Sequence, residues 1–181
     1  RQKLLGEQGF DGNSSSVLGT AIHWAAENYI KEGKLTPDVK NEMYDYINQQ
    51  ATKLPDLVDE KQIRADITPM WQMLKSYIDE NPGGLVEPFV ELELLPGITV
   101  GGSIDRIKVI GDDTVYTSLE QLRGKQVEIQ DWKTTGSKTV SDRAMTKKYE
   151  WQLLVYAYVL YKRYGITVTQ ITDVFITKFI D

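Results

Sequence analysis

The sequence changes character at one turn, Asn81-Pro82-Gly83-Gly84, and this change limits the possible folds more than any other feature. Before the turn, apolar residues recur at intervals of three and four, which is typical of amphipathic helices. After the turn, short runs of alternating apolar and polar residues are typical of strands. We therefore predict an α/β protein with a mixed central β-sheet flanked by helices, a helical segment at about 14–80 and a sheet core at about 85–181.

The helical segment is predicted to contain three helices. A run of Asn and Ser residues precedes the first helix and can cap it, and Gly33 is placed to end it. Pro69 falls inside the third helix and is expected to kink or split it. The apolar side chains of the second and third helices already explain their spacing, so we interpret both as architecture. The predicted bounds are about 16–32, 38–51 and 57–80.

The sheet core is predicted to contain four strands and one helix. The first two strands form a hairpin through Pro96-Gly97. The helix, at about 144–164, is nearly continuously apolar from Trp151 to Tyr161, so we expect it to be buried on most sides. The strands are predicted at about 86–95, 99–110, 127–133 and 171–180.

Composition fits one globular domain spanning residues 1–181, since 41% of the 181 residues are hydrophobic and 26% are charged. The chain has no cysteine, which excludes disulfides, thiolate zinc sites and cysteine-ligated iron–sulfur clusters. No apolar run approaches the roughly 20 residues of a membrane helix, and the first residues lack the apolar core of a secretory signal. We therefore expect a soluble cytoplasmic protein.

Charge is distributed unevenly along the chain. The net charge of −5 argues at first against a nucleic-acid partner. Residues 1–100 carry 9 basic and 16 acidic side chains, however, whereas residues 101–181 carry 12 and 10. The basic segment 133–148 suggests a surface for a phosphate backbone, although a solvated loop and helix start explain its charge equally well. Within residues 133–148, one acid stands among five cations: Lys133, Lys138, Arg143, Lys147 and Lys148.

Three charged residues on two predicted strands form the strongest candidate site. Asp131 and Lys133 are two residues apart, so on a strand they project to the same face. Asp105 lies 26 positions earlier, which suits an adjacent strand. Two carboxylates can hold Mg²⁺, and a lysine can orient the attacking water and stabilise the developing phosphorane charge. Taken alone, an Asp-x-Lys triplet is more often an ordinary charged strand end.

Two helices contribute further candidates. His23, the only histidine, lies off the apolar stripe of the first helix, so it is not expected to be a core residue. Gln152 and Tyr156 are four residues apart and share a helix face. A buried glutamine without partners is costly, so its amide is expected to reach the site or DNA, whereas Tyr156 is as readily explained by core packing.

Four motifs occur in an order that resembles the RecB-like branch of the PD-(D/E)xK nuclease superfamily. In that branch an early helix carries a histidine, a strand carries Gly-x-x-Asp, the next strand carries Asp/Glu-x-Lys and the following helix carries Gln-x-x-x-Tyr. The corresponding residues here are Gly19 to His23, Gly102 to Asp105, Asp131 to Lys133, and Gln152 to Tyr156. One departure is Ile104, which precedes Asp105 in place of the proline that names the superfamily.

The resemblance implies a restriction-endonuclease-like core and a role for each candidate residue. Asp105, Asp131 and Lys133 would be catalytic, and His23 would join the two aspartates in holding one or two Mg²⁺ or Mn²⁺ ions. Gln152 and Tyr156 would contact the substrate. The further residues expected to bind DNA phosphates are Thr134, Thr135, Lys138, Lys147 and Lys148. Glu91 or Glu93 is a possible additional acid.

The resemblance also implies the function. We predict a metal-dependent deoxyribonuclease acting on single- or double-stranded DNA, more specifically an exonuclease of recombination, repair or phage replication, encoded by a bacterium or phage. A protein partner or homo-oligomer is compatible with the sequence. The alternatives are a catalytically inactive nuclease-like module that binds DNA or protein, and an unrelated α/β domain whose motif matches are accidental.

Overall fold

The computed structural model describes residues 12–135 and 143–178, with the backbone alone for residues 143–149. It contains four α-helices, six strands and one short 3₁₀ helix, Leu119–Leu122, in this part of the chain. The α-helices are α1 (Ser14–Glu32), α2 (Pro37–Lys53), α3 (Glu60–Glu80) and α4 (Arg143–Tyr164). The strands are β1 (Leu85–Val86), β2 (Phe89–Leu95), β3 (Ile98–Ser103), β4 (Arg106–Val109), β5 (Gln126–Thr135) and β6 (Thr167–Thr177).

Capping residues set the bounds of α1 and the start of α3. The Asn13 side chain accepts a hydrogen bond from the Ser16 amide at the start of α1, and Gly33, with φ +73°, ends that helix. Asp59 caps α3 in the same way through the Gln62 amide. Pro69 lies inside α3 without splitting it. Because the helix begins at Glu60, the predicted start at residue 57 is three residues too early.

The described residues cluster into two compact units. The first comprises residues 12–81, 132–135 and 175–178, and the second comprises residues 82–131 and 143–174. In the first unit, α1 packs against both α2 and α3 through buried aliphatic side chains. That the whole sequence forms one domain stays a prediction.

The second unit is built on a mixed four-stranded sheet in the order β1-β4-β5-β6. Strand β4 pairs antiparallel with β1 and with β5. Thr167 donates its amide hydrogen to Lys125 O and Thr169 donates its hydroxyl to Val127 O, so β6 and β5 advance in the same direction. The predicted α/β class, with a mixed sheet and an N-terminal helical segment, is confirmed.

One predicted strand, 99–110, is wrong because the chain changes sheets within it. Strand β3 pairs with β2 in a separate two-stranded sheet, whereas β4 belongs to the four-stranded sheet. The break falls at Ile104 and Asp105. Two cross-chain hydrogen bonds stabilise it, from the Ile104 amide to Pro88 O and from the Glu87 amide to Asp105 O.

The expectation that the last helix is buried on most sides is also wrong. Helix α4 places Leu153, Tyr156, Val159 and Leu160 in the core of the second unit, beside Ile107 and Ile129 of the sheet. Its other apolar side chains are exposed to solvent, at intervals of three and four residues: Trp151, Leu154, Val155, Tyr158 and Tyr161. One buried stripe is enough to fix the helix, so the remaining apolar residues need another explanation.

Candidate functional site

Asp105 lies at the corner where the chain passes from one sheet to the other. The neighbouring segment between β1 and β2 bends as well, since Glu87 adopts a positive φ of 48°, which is uncommon for a residue other than glycine. The Glu87 amide donates to the Asp105 carbonyl at 2.9 Å, which fixes the backbone of the aspartate. Its side chain is half-buried. The corner therefore presents a carboxylate at the edge of the four-stranded sheet.

The β4–β5 register relates Asp105 to Asp131. Arg106 pairs with Gln130 and Ile107 pairs with Ile129, in an unbroken antiparallel ladder. Continuing that register by one residue brings Asp105 opposite Asp131, although Asp105 itself lies in the bend beyond the ladder. Directly opposed residues of an antiparallel pair have Cβ atoms about 4.5–5.5 Å apart. The ladder itself ends one residue short of the two aspartates, so their sharing of a cation stays a prediction.

A buried polar chain next to these acids has no counterpart in the sequence prediction. Arg106 and Gln130 are almost completely buried, and the Arg106 Nε donates to Gln130 Oε1 at 3.0 Å. Gln130 in turn donates to Glu128 Oε1 at 2.6 Å, and Arg106 Nη1 lies 3.4 Å from Gly83 O. A buried guanidinium is tolerated only with such partners. In the sequence, the signal for these buried polar contacts was Arg106, a charged residue among the apolar residues of a predicted strand.

His23 connects α1 to the strand that carries Lys133. Its Nδ1 lies 2.7 Å from Gly19 O in its own helix, and its Nε2 lies 3.1 Å from Trp132 O. A neutral imidazole has one N–H, so it can donate to only one of these carbonyls at a time. Metal binding through Nε2 would require that atom to leave Trp132 O. The predicted metal role of His23 therefore requires the tautomer in which Nδ1 carries the proton and donates to Gly19 O.

Gly19 has a packing reason to precede His23 by one turn. A Cβ atom on Gly19 would lie 3.1 Å from the Thr134 hydroxyl oxygen, so only a minimal side chain lets α1 approach β5 this closely. Lys133 is half-buried on the same strand, and its Nζ lies 5.6 Å from the centre of the Phe175 ring. Gly19, His23 and Thr134 therefore bring helix α1 close to Lys133.

A cavity of about 170 Å³ in the first unit lies beside the end of β5. Thr134 and Thr135 line it together with the first turn of α1, which contains no acidic residue. Lys178 also lines it and forms an ion pair of 3.3 Å with Asp66. Asp66 lines the cavity as well, and the phosphate contacts of both threonines stay a prediction. A larger open hollow of about 750 Å³, between residues 51 and 64, contains none of the predicted site residues.

Gln152 and Tyr156 differ in exposure but are joined to each other. Tyr156 is 5% exposed and belongs to the core of the second unit, whereas Gln152 is exposed. That the Gln152 amide reaches the site or DNA stays a prediction. Gln152 Nε2 donates to the Tyr156 hydroxyl at 2.8 Å. That hydroxyl lies only 2.0 Å from the position of a Cβ on Gly102, so glycine alone fits there.

The remaining predicted residues fall into two groups. Lys138 lies outside the described residues, and Lys147 and Lys148 lie in α4 with only their backbone described. Glu91 is 3.6 Å from Arg163 Nη1, and Glu93 accepts a hydrogen bond from the Gly97 amide. The two glutamates therefore have partners on α4 and in the hairpin turn.

The donor set near the aspartates suits a hard divalent cation. Mg²⁺ is commonly held by one or two carboxylates together with water and substrate phosphate, and Asp105 and Asp131 supply such a pair. Among the side chains that the structure describes, no group of three or more histidine, cysteine, aspartate or glutamate residues is arranged to hold a metal ion. A cation here would therefore complete its coordination with water or phosphate.

Comparison with known proteins gives the family. A sequence model of the PD-(D/E)XK nuclease superfamily matches residues 2–176, which include every motif described above. No curated protein and no solved structure matches the chain. Among the described residues, no helix has the length and apolar character needed to cross a membrane. The mixed sheet with its flanking helix and N-terminal helices agrees with a restriction-endonuclease-like fold, and the chain belongs to the PD-(D/E)XK nuclease superfamily.

Proposed function

We propose that this protein is a metal-dependent deoxyribonuclease that hydrolyses DNA phosphodiester bonds, and that it belongs to the RecB-like branch of its superfamily. The single observation that supports the proposal is the β4–β5 ladder, which ends at the pair Arg106–Gln130, directly next to Asp105 and Asp131 along the chain. Lys133 follows Asp131 by two residues on β5. A carboxylate pair followed on the same strand face by a lysine is the donor set that phosphodiester hydrolysis needs.

The cofactor in this proposal is one or two Mg²⁺ or Mn²⁺ ions. Bound divalent cations polarise the phosphoryl oxygen and lower the pKa of a coordinated water. In this proposal Asp105 and Asp131 would hold the cation, and His23 is the further ligand that the family resemblance implies. An iron–sulfur cluster has no cysteine ligands in this sequence.

The chain itself supplies orientation and charge. Lys133 positions the attacking water and stabilises negative charge on the phosphorane oxygens. Thr134 and the predicted basic residues Lys138, Lys147 and Lys148 bind flanking phosphates. Gln152 is exposed and can contact the substrate, whereas the buried Tyr156 hydroxyl packs against Gly102 and accepts a hydrogen bond from the Gln152 amide. Tyr156 therefore acts through Gln152 in this proposal.

The exonuclease assignment rests on the RecB-like motif order. It places the enzyme in DNA recombination, repair or phage DNA processing in a bacterial cytoplasm. A protein partner or a second copy of the chain is compatible with this role. A catalytically inactive DNA- or protein-binding module is the alternative. Retention of both aspartates and the lysine opposes that alternative.

The test compares linear and covalently closed circular DNA, incubated with Mg²⁺ or Mn²⁺. Lys133→Ala and Asp131→Asn are the test variants, and Asp113→Asn is the control because that exposed acid pairs with Lys108 in the turn after β4. We expect metal-dependent loss of linear DNA only, abolished in the two test variants and retained in the control. Loss of both substrates would make the enzyme an endonuclease. Binding without loss of either substrate would overturn the enzymatic proposal.

A further inference from the structure

The outer face of α4 is unlike any other helix surface in the described part of the chain. Trp151 is 73% exposed, Tyr161 is 61% exposed and Tyr158 is 48% exposed. Leu154 and Val155 lie between them, at 52% and 40%. We call these five residues the α4 outer face. Large apolar side chains gathered on one exposed face mark a binding surface more often than chance.

The chemistry of this face favours a planar, negatively charged partner. Three of its five side chains are aromatic, and Lys162 Nζ lies 5.9 Å from the centre of the Tyr158 ring. By sequence, α4 carries five cations and the single acid Glu150, whereas the whole chain has a net charge of −5. Aromatic rings stack on exposed bases, and cations attract the backbone between them.

Side-chain contacts link the start of the α4 outer face to the strand that precedes Asp105. Gln152 directly follows Trp151 and is bonded to Tyr156, whose hydroxyl lies over Gly102. Gly102 lies three residues before Asp105 on the chain. At 1.5 Å per residue, Trp151 and Tyr161 are about 15 Å apart along the helix axis, so the face offers successive stacking positions.

We propose that the three aromatic side chains of the α4 outer face, Trp151, Tyr158 and Tyr161, bind single-stranded DNA by stacking on its bases. The bases of a duplex are already stacked on each other, so this surface selects an unpaired strand. The inference rests on the proposed nuclease function for the identity of the ligand. It adds to that function the strand form and the residues that hold it.

The test measures binding without hydrolysis. A fluorescein-labelled oligothymidylate is titrated with the protein in EDTA and its anisotropy is recorded, with an unlabelled duplex as competitor. We expect Trp151→Ala and Tyr161→Ala each to weaken binding about tenfold or more, since stacking contributes roughly 1–3 kcal/mol per base. Trp151→Phe should restore most of the affinity. Leu154→Ala is the matched control on the same face and should change the affinity less than about twofold.

Two results would overturn the inference. Wild-type affinity for oligothymidylate in Trp151→Ala and Tyr161→Ala would show that the face does not stack bases. An equal loss in Leu154→Ala and Trp151→Ala, together with a monomer–dimer equilibrium that both variants abolish, would make the face a protein interface. Metal-dependent cleavage of linear duplex DNA is measured in parallel. If cleavage persists while the stacking effect is absent, only this inference fails. If cleavage is absent while stacking is present, the proposed hydrolysis fails.

Discussion

Helices α3 and α4 have nearly the same length, 21 and 22 residues, but their outer faces are opposite in character. Each buries one apolar stripe. The outer face of α3 carries ion pairs between Arg64 and Glu60 and between Lys75 and Asp79, whereas that of α4 is aromatic and aliphatic. The buried residues of the two helices are Ile63, Ile67, Met70, Leu74 and Ile78 in α3, and Leu153, Tyr156, Val159 and Leu160 in α4.

The difference separates what folds a helix from what a helix is used for. A single buried stripe holds both helices in place, so the outer face is free to vary. In α3 it carries ordinary solvated charge. In α4 the exposed apolar side chains contribute little to folding, which is why we assign them to binding. The following predictions test this separation, from the largest expected effect to the smallest.

The inner faces should matter equally in both helices. Leu74→Ala in α3 and Leu160→Ala in α4 each remove a fully buried side chain, so each is expected to lower the free energy of unfolding by about 2–5 kcal/mol. Urea denaturation followed by circular dichroism measures both. A much smaller loss for Leu160→Ala would mean that α4 is not held by its inner stripe, and the comparison would break.

The attachment of α4 should depend on the absence of a side chain at Gly102. Gly102→Ala would place a Cβ atom 2.0 Å from the Tyr156 hydroxyl oxygen and 2.8 Å from its Cζ, so we expect a loss of about 1–3 kcal/mol. Tyr156→Phe removes the nearer atom and should recover part of that loss in the double variant. Strict additivity of the two substitutions in urea denaturation would show that they do not meet.

The outer faces should be neutral to stability in both helices. Arg64→Ala in α3 removes an exposed ion pair, and Tyr161→Ala in α4 removes an exposed ring. We expect each to change the free energy of unfolding by no more than about 0.5 kcal/mol. If Tyr161→Ala destabilised the protein by more than 1 kcal/mol while Arg64→Ala did not, the α4 outer face would have a structural role.

Low pH should remove the stabilisation that the Asp79 carboxylate contributes on α3. Hydrogen bonds from Tyr29 and then Lys75 hold the pKa of Asp79 below its usual 3.8. A lowered folded-state pKa stabilises the protein above the unfolded pKa, and the contribution is lost as the pH falls through the folded value. Asp79→Asn should therefore be slightly less stable than wild type at pH 7, and the difference should close below pH 3.8. The difference for Tyr161→Ala should stay constant over this range. A gap for Asp79→Asn that persisted in acid would contradict the assignment.

Some of this architecture could be predicted because it depends on local chemistry. The Asn13 and Gly33 caps of α1 are decided by residues within one turn. The sheet change at Asp105 could not be predicted, since apolar alternation continues through Ile104 and the break depends on bonds to Glu87 and Pro88.

The same limit applies to the site and to α4. The run from Trp151 to Tyr161 is apolar except for Gln152, and one polar residue does not distinguish its inner face from its outer one. Gln130 and Arg106 form a buried pair only because the β4–β5 register brings them together, and register is a tertiary property. The motif order, by contrast, was sufficient to predict the superfamily.

The most direct test of the account is the steady-state rate of metal-dependent DNA hydrolysis as a function of DNA concentration in three proteins: wild type, Lys133→Ala and Trp151→Ala. We predict that Lys133→Ala lowers kcat by about 100-fold or more with little change in KM, because a positioned acid–base or charge-stabilising group acts in the transition state. Trp151→Ala should act mainly on KM. A Lys133→Ala protein with the kcat of the wild type would contradict the central claim.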